Sequence, residues 1–164
     1  GLIASAKQNE RRITFVITGL KSIGQRAREA KGITTWAFKK FKLKTYFKKS
    51  STILEVPVWR GKKARVKLSA TNDIRILVAN DSVENTKMHI VLKEPLIAPL
   101  KKGQTINGHL VIETAPLFKA GKKKKQFFFP IEVSEDLDRG GLANKIGTNF
   151  DTLKSNFFSL FGSN

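Results

Sequence analysis

In residues 53–79, ILEVPVWRGKKARVKLSATNDIRILVA, apolar and polar side chains alternate with a period of two. Three runs can be read there: ILEVPVWRG (53–61), ARVKLSA (64–70) and DIRILVA (73–79). The turn clusters Arg60-Gly61-Lys62 and Thr71-Asn72-Asp73 separate them. Successive side chains of a strand point to opposite faces, so this alternation predicts strands with one buried side. The pattern continues downstream in KMHIVLKEP (87–95), GHLVIET (108–114) and FFFPIEV (127–133), with turns at Lys102-Gly103-Gln104 and Ala120-Gly121. Short strands at this spacing predict a small all-β sandwich of about 80 residues, spanning 53–133. Pro57, Pro95, Pro99 and Pro130 lack an N–H and fit strand edges or breaks.

Upstream, LIASA (2–6) and RITFVIT (12–18) read as two strands joined by the polar turn KQNER. Ser22 then reads as the N-cap of a helix over about 23–47. Ile23, Ala27, Ala30, Ile33, Trp36, Ala37, Phe38 and Phe41 recur there mostly three and four residues apart. A hairpin and one helix do not close a sheet domain, so residues 1–52 read as the end of something larger. Downstream, SEDLDRGG (134–141) reads as an acidic, Gly-rich linker. Beyond it, Leu142, Ile146, Phe150, Leu153, Phe157, Leu160 and Phe161, with Phe158 beside them, form one aromatic stripe on a predicted helix.

Composition narrows the chemistry. The 164 residues carry 31 Lys and Arg against 13 Asp and Glu, a net charge of +18. Residues 1–52 hold +11 of it, 53–133 hold +8, and the tail is close to neutral at −1. So basic a body calls for an anionic partner or a well-solvated surface. No Cys is present, which excludes disulfides, thiolate metal sites and cysteine nucleophiles. The two histidines, His89 and His109, fall on separate predicted strands and form no metal pair. No Gly-rich phosphate loop, SxxK, GxSxG or HExxH occurs. Neither a metal nor a cofactor is expected. No apolar run approaches the roughly 18 residues of a membrane-spanning helix.

Read together and in order, several stretches resemble the low-molecular-mass penicillin-binding proteins, the serine-type D-alanyl-D-alanine carboxypeptidases. They are GLIASAKQNERRITFVITGL (1–20), QRAREAKGITTWAFKKF (25–41), VPVWRG (56–61), IVLKEPLIAPLKKGQ (90–104) and the closing aromatic helix. The resemblance covers nearly the whole chain and implies a mainly β fold in three parts. Residues 1–52 would be a hairpin-plus-helix remnant of the α/β, transpeptidase-like catalytic domain. Residues 53–133 would be the β-sandwich, and 134–164 a linker and an amphipathic membrane-anchor helix. In this family the catalytic SxxK, SxN and KTG motifs lie ahead of the LIASA strand, so the chain is expected to be inactive alone.

The parent enzyme would remove the terminal D-Ala from peptidoglycan stem pentapeptides through an acylated serine. Arg26, in QRARE, matches the family's arginine beside the pocket for the substrate's terminal carboxylate, which a planar guanidinium can grip bidentately. Its plainer reading is a solvated arginine at a helix start. The implied partners are the N-terminal catalytic part of the same protein, the stem peptide and an inner-membrane lipid surface; apart from the resemblance, a homo-oligomer with a second copy of the chain is left open. The implied location is the periplasm, at the outer face of the inner membrane.

Each apolar side chain of the tail stripe would contribute on the order of 1.5–3 kcal/mol if fully buried. A helix lying in an interface buries them partly and loses ordering entropy, which leaves a few kcal/mol and reversible attachment. The tail carries few cations, so attraction to anionic lipid must arise elsewhere in the chain. The run GKKKKQ, with Lys119 just before it, reads as a solvated hairpin tip or a headgroup contact. A different class of reading is a small nucleic-acid-binding protein, with Lys39, Lys40, Lys42, Lys44, Lys48 and Lys49 interleaved among Trp36, Phe38, Phe41, Tyr46 and Phe47.

Overall fold

The computed structural model describes residues 1–80, 86–117 and 124–141. In chain order the elements are β1 (Leu2–Gln8), β2 (Arg11–Ile17), α1 (Ile23–Lys40), β3 (Phe41–Phe47), β4 (Thr52–Trp59) and β5 (Arg65–Ala70). Then come β6 (Ile74–Ala79), β7 (Lys87–Leu92), β8 (Leu96–Ile97), β9 (Thr105–Thr114) and β10 (Lys125–Val133). Every strand expected from the alternation is present, and the fold is mainly β.

Alternation places the core. A curled six-stranded sheet runs in the order β7-β9-β10-β5-β4-β8, and the two-stranded ladder β3-β6 covers it. Ile74, Ile76 and Val78 project from β6 onto Val56 and Val58 of β4, Val66 and Leu68 of β5, Ile90 of β7, Leu110 and Ile112 of β9, and Ile131 and Val133 of β10. All of these are buried, and in each strand they are every second residue. The two layers enclose a sandwich-like core, to which Ala98, Leu100 and Leu137 add from outside the strands. Pro130 stands where the β10 register shifts, just before pairing with β5 begins at Ile131. A residue without an N–H is tolerated at that irregularity.

Two expectations are corrected. The helix predicted to reach residue 47 stops at Lys40, and residues 41–47 form β3, antiparallel to β6 from Phe41↔Ala79 to Phe47↔Ile74. In FKLKTYF the apolar residues Phe41, Leu43 and Phe47 alternate with lysines, and burial of Phe41 fixes the switch of period. Residues 134–141, expected to be a linker, are stitched to the β-domain. The Ser134 N–H bonds the Lys67 carbonyl, Leu100 and Leu137 exchange both backbone bonds, and the Gly140 N–H bonds the Arg60 carbonyl. Leu137 is buried in the core, so this acidic stretch holds an apolar pin.

Candidate functional site

The N-terminal quarter is built as an open unit. β1 and β2 pair in register from Leu2↔Ile17 to Gln8↔Arg11 and form a sheet of their own. Leu2, Ala4, Ala6, Ile13, Phe15 and Ile17 share one half-buried face. Ala30, Ile33, Thr34, Ala37, Phe38 and Lys40 are the half-buried residues of the α1 middle and end. No residue of α1 is fully buried. The opposite face of the hairpin is open, with the cross-strand pair Ile3 and Val16 exposed at 76% and 65%. Neither long edge of the hairpin carries a further strand among the described residues.

Ser22 caps α1, its Oγ accepting the Gln25 N–H at 3.1 Å while Gln25 Oε1 accepts the Lys21 N–H at 3.0 Å. This reciprocal pair resembles a capping box shifted by one residue. Arg26 leaves the first turn half-buried, and its Nε is enclosed without a hydrogen-bond partner. No second cation, nucleophile or carboxylate is brought to it by any described contact. The eight tail residues Leu142, Ile146, Phe150, Leu153, Phe157, Phe158, Leu160 and Phe161 lie outside the described residues, as do Lys119, Lys122 and Lys123 of the basic run.

At the other end of α1 the open unit is tied to the β-domain. The Arg11 guanidinium donates to the carbonyls of Phe41 and of Ala37, the latter at 2.7 Å, and lies 4.7 Å from the Phe38 ring centre. The last carbonyls of a helix lack intrahelical partners and sit at the negative end of its dipole, so a cation there serves both needs. Glu10 in the same turn pairs with Arg75 of β6 at 3.0 Å. These residues line a cleft of about 460 Å³ with Lys42, Leu43 and Thr45. Glu10 and Arg75 satisfy each other and Arg11 is held by the backbone, so the cleft serves as a joint between the two units.

Sequence reasoning missed Arg11. The signal that could have found it is an arginine in a hairpin turn facing a helix that ends in Lys39-Lys40 with no capping Gly.

The aromatic residues among the 39–49 lysines are engaged in packing. Trp36 stands edge-on to Phe41 at 5.2 Å, Phe38 carries Arg11, the Tyr46 hydroxyl lies 3.1 Å from Thr86 Oγ1, and Phe47 packs on the core. Bases need free ring faces to stack upon, so Phe38, Phe41, Tyr46 and Phe47 are withdrawn from that role, whereas Trp36 stays 48% exposed. Among the described residues no cluster of His, Asp or Glu could hold a metal ion, and no helix is long and apolar enough to cross a membrane.

Among the described residues, a closed β-domain is thus joined to a hairpin-and-helix unit that is left open. Residues 41–115 match the family model described as the penicillin-binding protein 5, C-terminal domain. The chain is 32% identical over 163 residues to D-alanyl-D-alanine carboxypeptidase DacC of Escherichia coli strain K12, covering 99% of this chain and 38% of that protein. It is 27% identical to carboxypeptidase DacF of Bacillus subtilis strain 168, over 85% of this chain and 34% of that one.

The crystal structure of penicillin-binding protein 5 from Haemophilus influenzae superposes with a TM-score of 0.62 at 28% identity, covering 84% of this chain and 38% of that one. The chain belongs to the low-molecular-mass penicillin-binding proteins and corresponds to their C-terminal portion. It spans little more than a third, 38%, of the length of the first carboxypeptidases it matches.

Proposed function

We propose that this chain is the support and membrane-attachment part of a peptidoglycan-trimming D-alanyl-D-alanine carboxypeptidase. The carrying observation is the contrast between its two units. The β-domain has a closed core, whereas among the described residues the hairpin and α1 leave both strand edges uncovered, with Ile3 and Val16 exposed on the face away from α1. An open edge and an exposed Ile–Val pair are what a sheet presents when its neighbouring strands belong to the rest of a domain. That rest is the catalytic part of the same protein, which would supply the SxxK serine and lysine, the SxN group and the KTG strand. There a serine would attack the carbonyl of the penultimate D-Ala and expel the terminal D-Ala. Water would then hydrolyse the ester.

Arg26 would stand at the rim of that pocket and donate its terminal guanidinium N–H groups toward the substrate's terminal carboxylate. The β-domain would hold the pocket away from the membrane, and the stripe from Leu142 to Phe161 would lie in the outer leaflet boundary of the inner membrane, on the periplasmic side. A division into catalytic-domain end, β-domain and tail is part of this proposal, with residues 41–47 and 134–141 belonging to the β-domain.

The test uses the product of the whole gene beside residues 1–164. Release of D-Ala from a pentapeptide is expected from the former and not from the latter. Arg26→Ala in the former is expected to lower kcat/KM by about tenfold to a hundredfold, as for loss of one charged hydrogen bond of about 1.5–3 kcal/mol. Unchanged kcat/KM would remove Arg26 from the site, and release by residues 1–164 alone would overturn the division of labour.

A further inference from the structure

The described chain ends at Gly141 beside a cluster that the proposed anchoring does not use. Trp59 of β4 and Ile97 of β8 are register partners in a parallel pair, so their side chains share one face. Val58 and Leu96, one residue earlier in each strand, fill the core on the other face. Ile97 is 47% exposed, and the Arg60 guanidinium lies 4.3 Å from the Trp59 ring centre. Gly61 bridges Arg139, whose Nε donates to the Ala98 carbonyl at 3.2 Å.

The segment leading to the tail thus runs through a patch made of an indole, an isoleucine and two arginines. Lys62, Lys63, Lys101 and Lys102 flank it, so six cations face three carboxylates: Glu135, paired with Lys63 at 3.2 Å; Asp136, which accepts the Lys102 backbone N–H; and Asp138.

We infer that this pole, centred on Trp59, Arg60, Ile97 and Arg139, is itself a membrane contact that seats on anionic lipid headgroups. The inference rests on the anchoring proposed above and deepens it. The occupant is set by where the chain goes: a 23-residue tail (142–164) with an aromatic stripe leaves from this patch, so whatever surface holds the stripe lies against it.

Charge points the same way. The tail itself contains only Lys145 and Lys154 against Asp151, too little to select anionic lipid, whereas the pole carries an excess of three cations within a few residues of the exit. Tryptophan and arginine suit that depth, since each presents an apolar or planar body with a polar group that stays wet. The lysines at the start of β10 cannot serve the same contact. A nine-residue strand, roughly 30 Å long at about 3.3 Å per residue, separates Lys125 from Val133, and residues 134–141 continue onward from there.

The experiment partitions the full chain onto vesicles of pure phosphatidylcholine and of an equimolar phosphatidylglycerol and phosphatidylcholine mixture. Arg60→Gln with Arg139→Gln should weaken binding to the anionic vesicles by about 30-fold, from two charges near the surface, and leave binding to phosphatidylcholine unchanged. Phe150→Ser with Phe157→Ser should weaken binding to both. Because Arg60 and Arg139 also touch the fold, Ile97→Ser and Lys101→Gln with Lys102→Gln provide independent variants and should each weaken anionic binding severalfold.

In a Trp36→Phe background, Trp59 emission should be quenched by a headgroup-level spin label on anionic vesicles. An arginine variant that binds anionic vesicles like the parent, with Trp59 unquenched, overturns the pole contact and leaves the tail anchor standing. Binding to phosphatidylcholine that survives the tail substitutions overturns the anchor instead. Heparin that competes with anionic vesicles while Trp59 stays unquenched makes the patch a general polyanion surface and ends the lipid assignment.

Discussion

Two arginines join the open unit to the β-domain, and magnitudes separate them. Arg75 meets Glu10 at 3.0 Å, but the Glu10 side chain is largely in water, where such a pair contributes at most about 1 kcal/mol. Arg11 is half-buried and holds two carbonyls at the frayed end of α1 while stacking over Phe38. Charge-assisted bonds of that kind contribute about 1.5–3 kcal/mol each at most, and both depend on one side chain. Arg11→Met is therefore expected to raise amide hydrogen exchange in β2 and in the last turn of α1 by about 30-fold or more, equivalent to about 2 kcal/mol. Arg75→Met should change it less than about fivefold. Equal effects would place the tie in the surface pair and not in the helix end.

At the scale of elements, most of the fold was legible because alternation needs no partner to be read. β4, β5, β6, β7, β9 and β10 were each visible from β-branched runs between turn residues. β3 was hidden for a physical reason. Nothing between Lys40 and Phe41 breaks a helix, and Phe41 falls in step with Ala37 and Phe38, so the local pattern extends α1. What ends it is tertiary: pairing with β6 and the donors of Arg11, both far along the chain. β8, two residues long, lay below any periodicity.

The role of Leu137 was likewise masked by acidic neighbours. Arg26 was found through the family likeness and the tail stripe through its period, whereas the Trp59–Arg139 pole joins residues 80 positions apart and exists only in three dimensions. The same division of elements predicts uneven stability. Amides of β1 and β2, in a two-stranded sheet over a helix with no fully buried residue, should exchange at least 100-fold faster than those of β5 and β9, which lie inside the six-stranded sheet. Uniform protection measured by mass spectrometry would mean that the open unit borrows stability from contacts not described above.

For the molecule as a whole, the uncovered hairpin makes a claim about solution behaviour that does not depend on any lipid or substrate. A strand edge that no described strand pairs with, next to an exposed Ile3–Val16 pair, is a template for a second copy of itself. The net charge of +18 opposes association at low salt and is screened at high salt, where the Debye length falls from about 10 Å at 0.1 M to about 3 Å at 1 M. Residues 1–164 in isolation are therefore expected to self-associate increasingly as salt is raised.

Ile3→Lys with Val16→Lys should suppress this in sedimentation velocity. Both side chains are mostly in water, so the pair of changes should cost the fold no more than about 1 kcal/mol. The product of the whole gene, in which the catalytic part would cover the same face, should stay monomeric across the same salt range. Self-association that persists in the double-lysine variant would move the sticky surface off the hairpin. Self-association of the whole product through Ile3 and Val16 would mean that the catalytic part does not cover this face, and would break the structural argument for a missing neighbour.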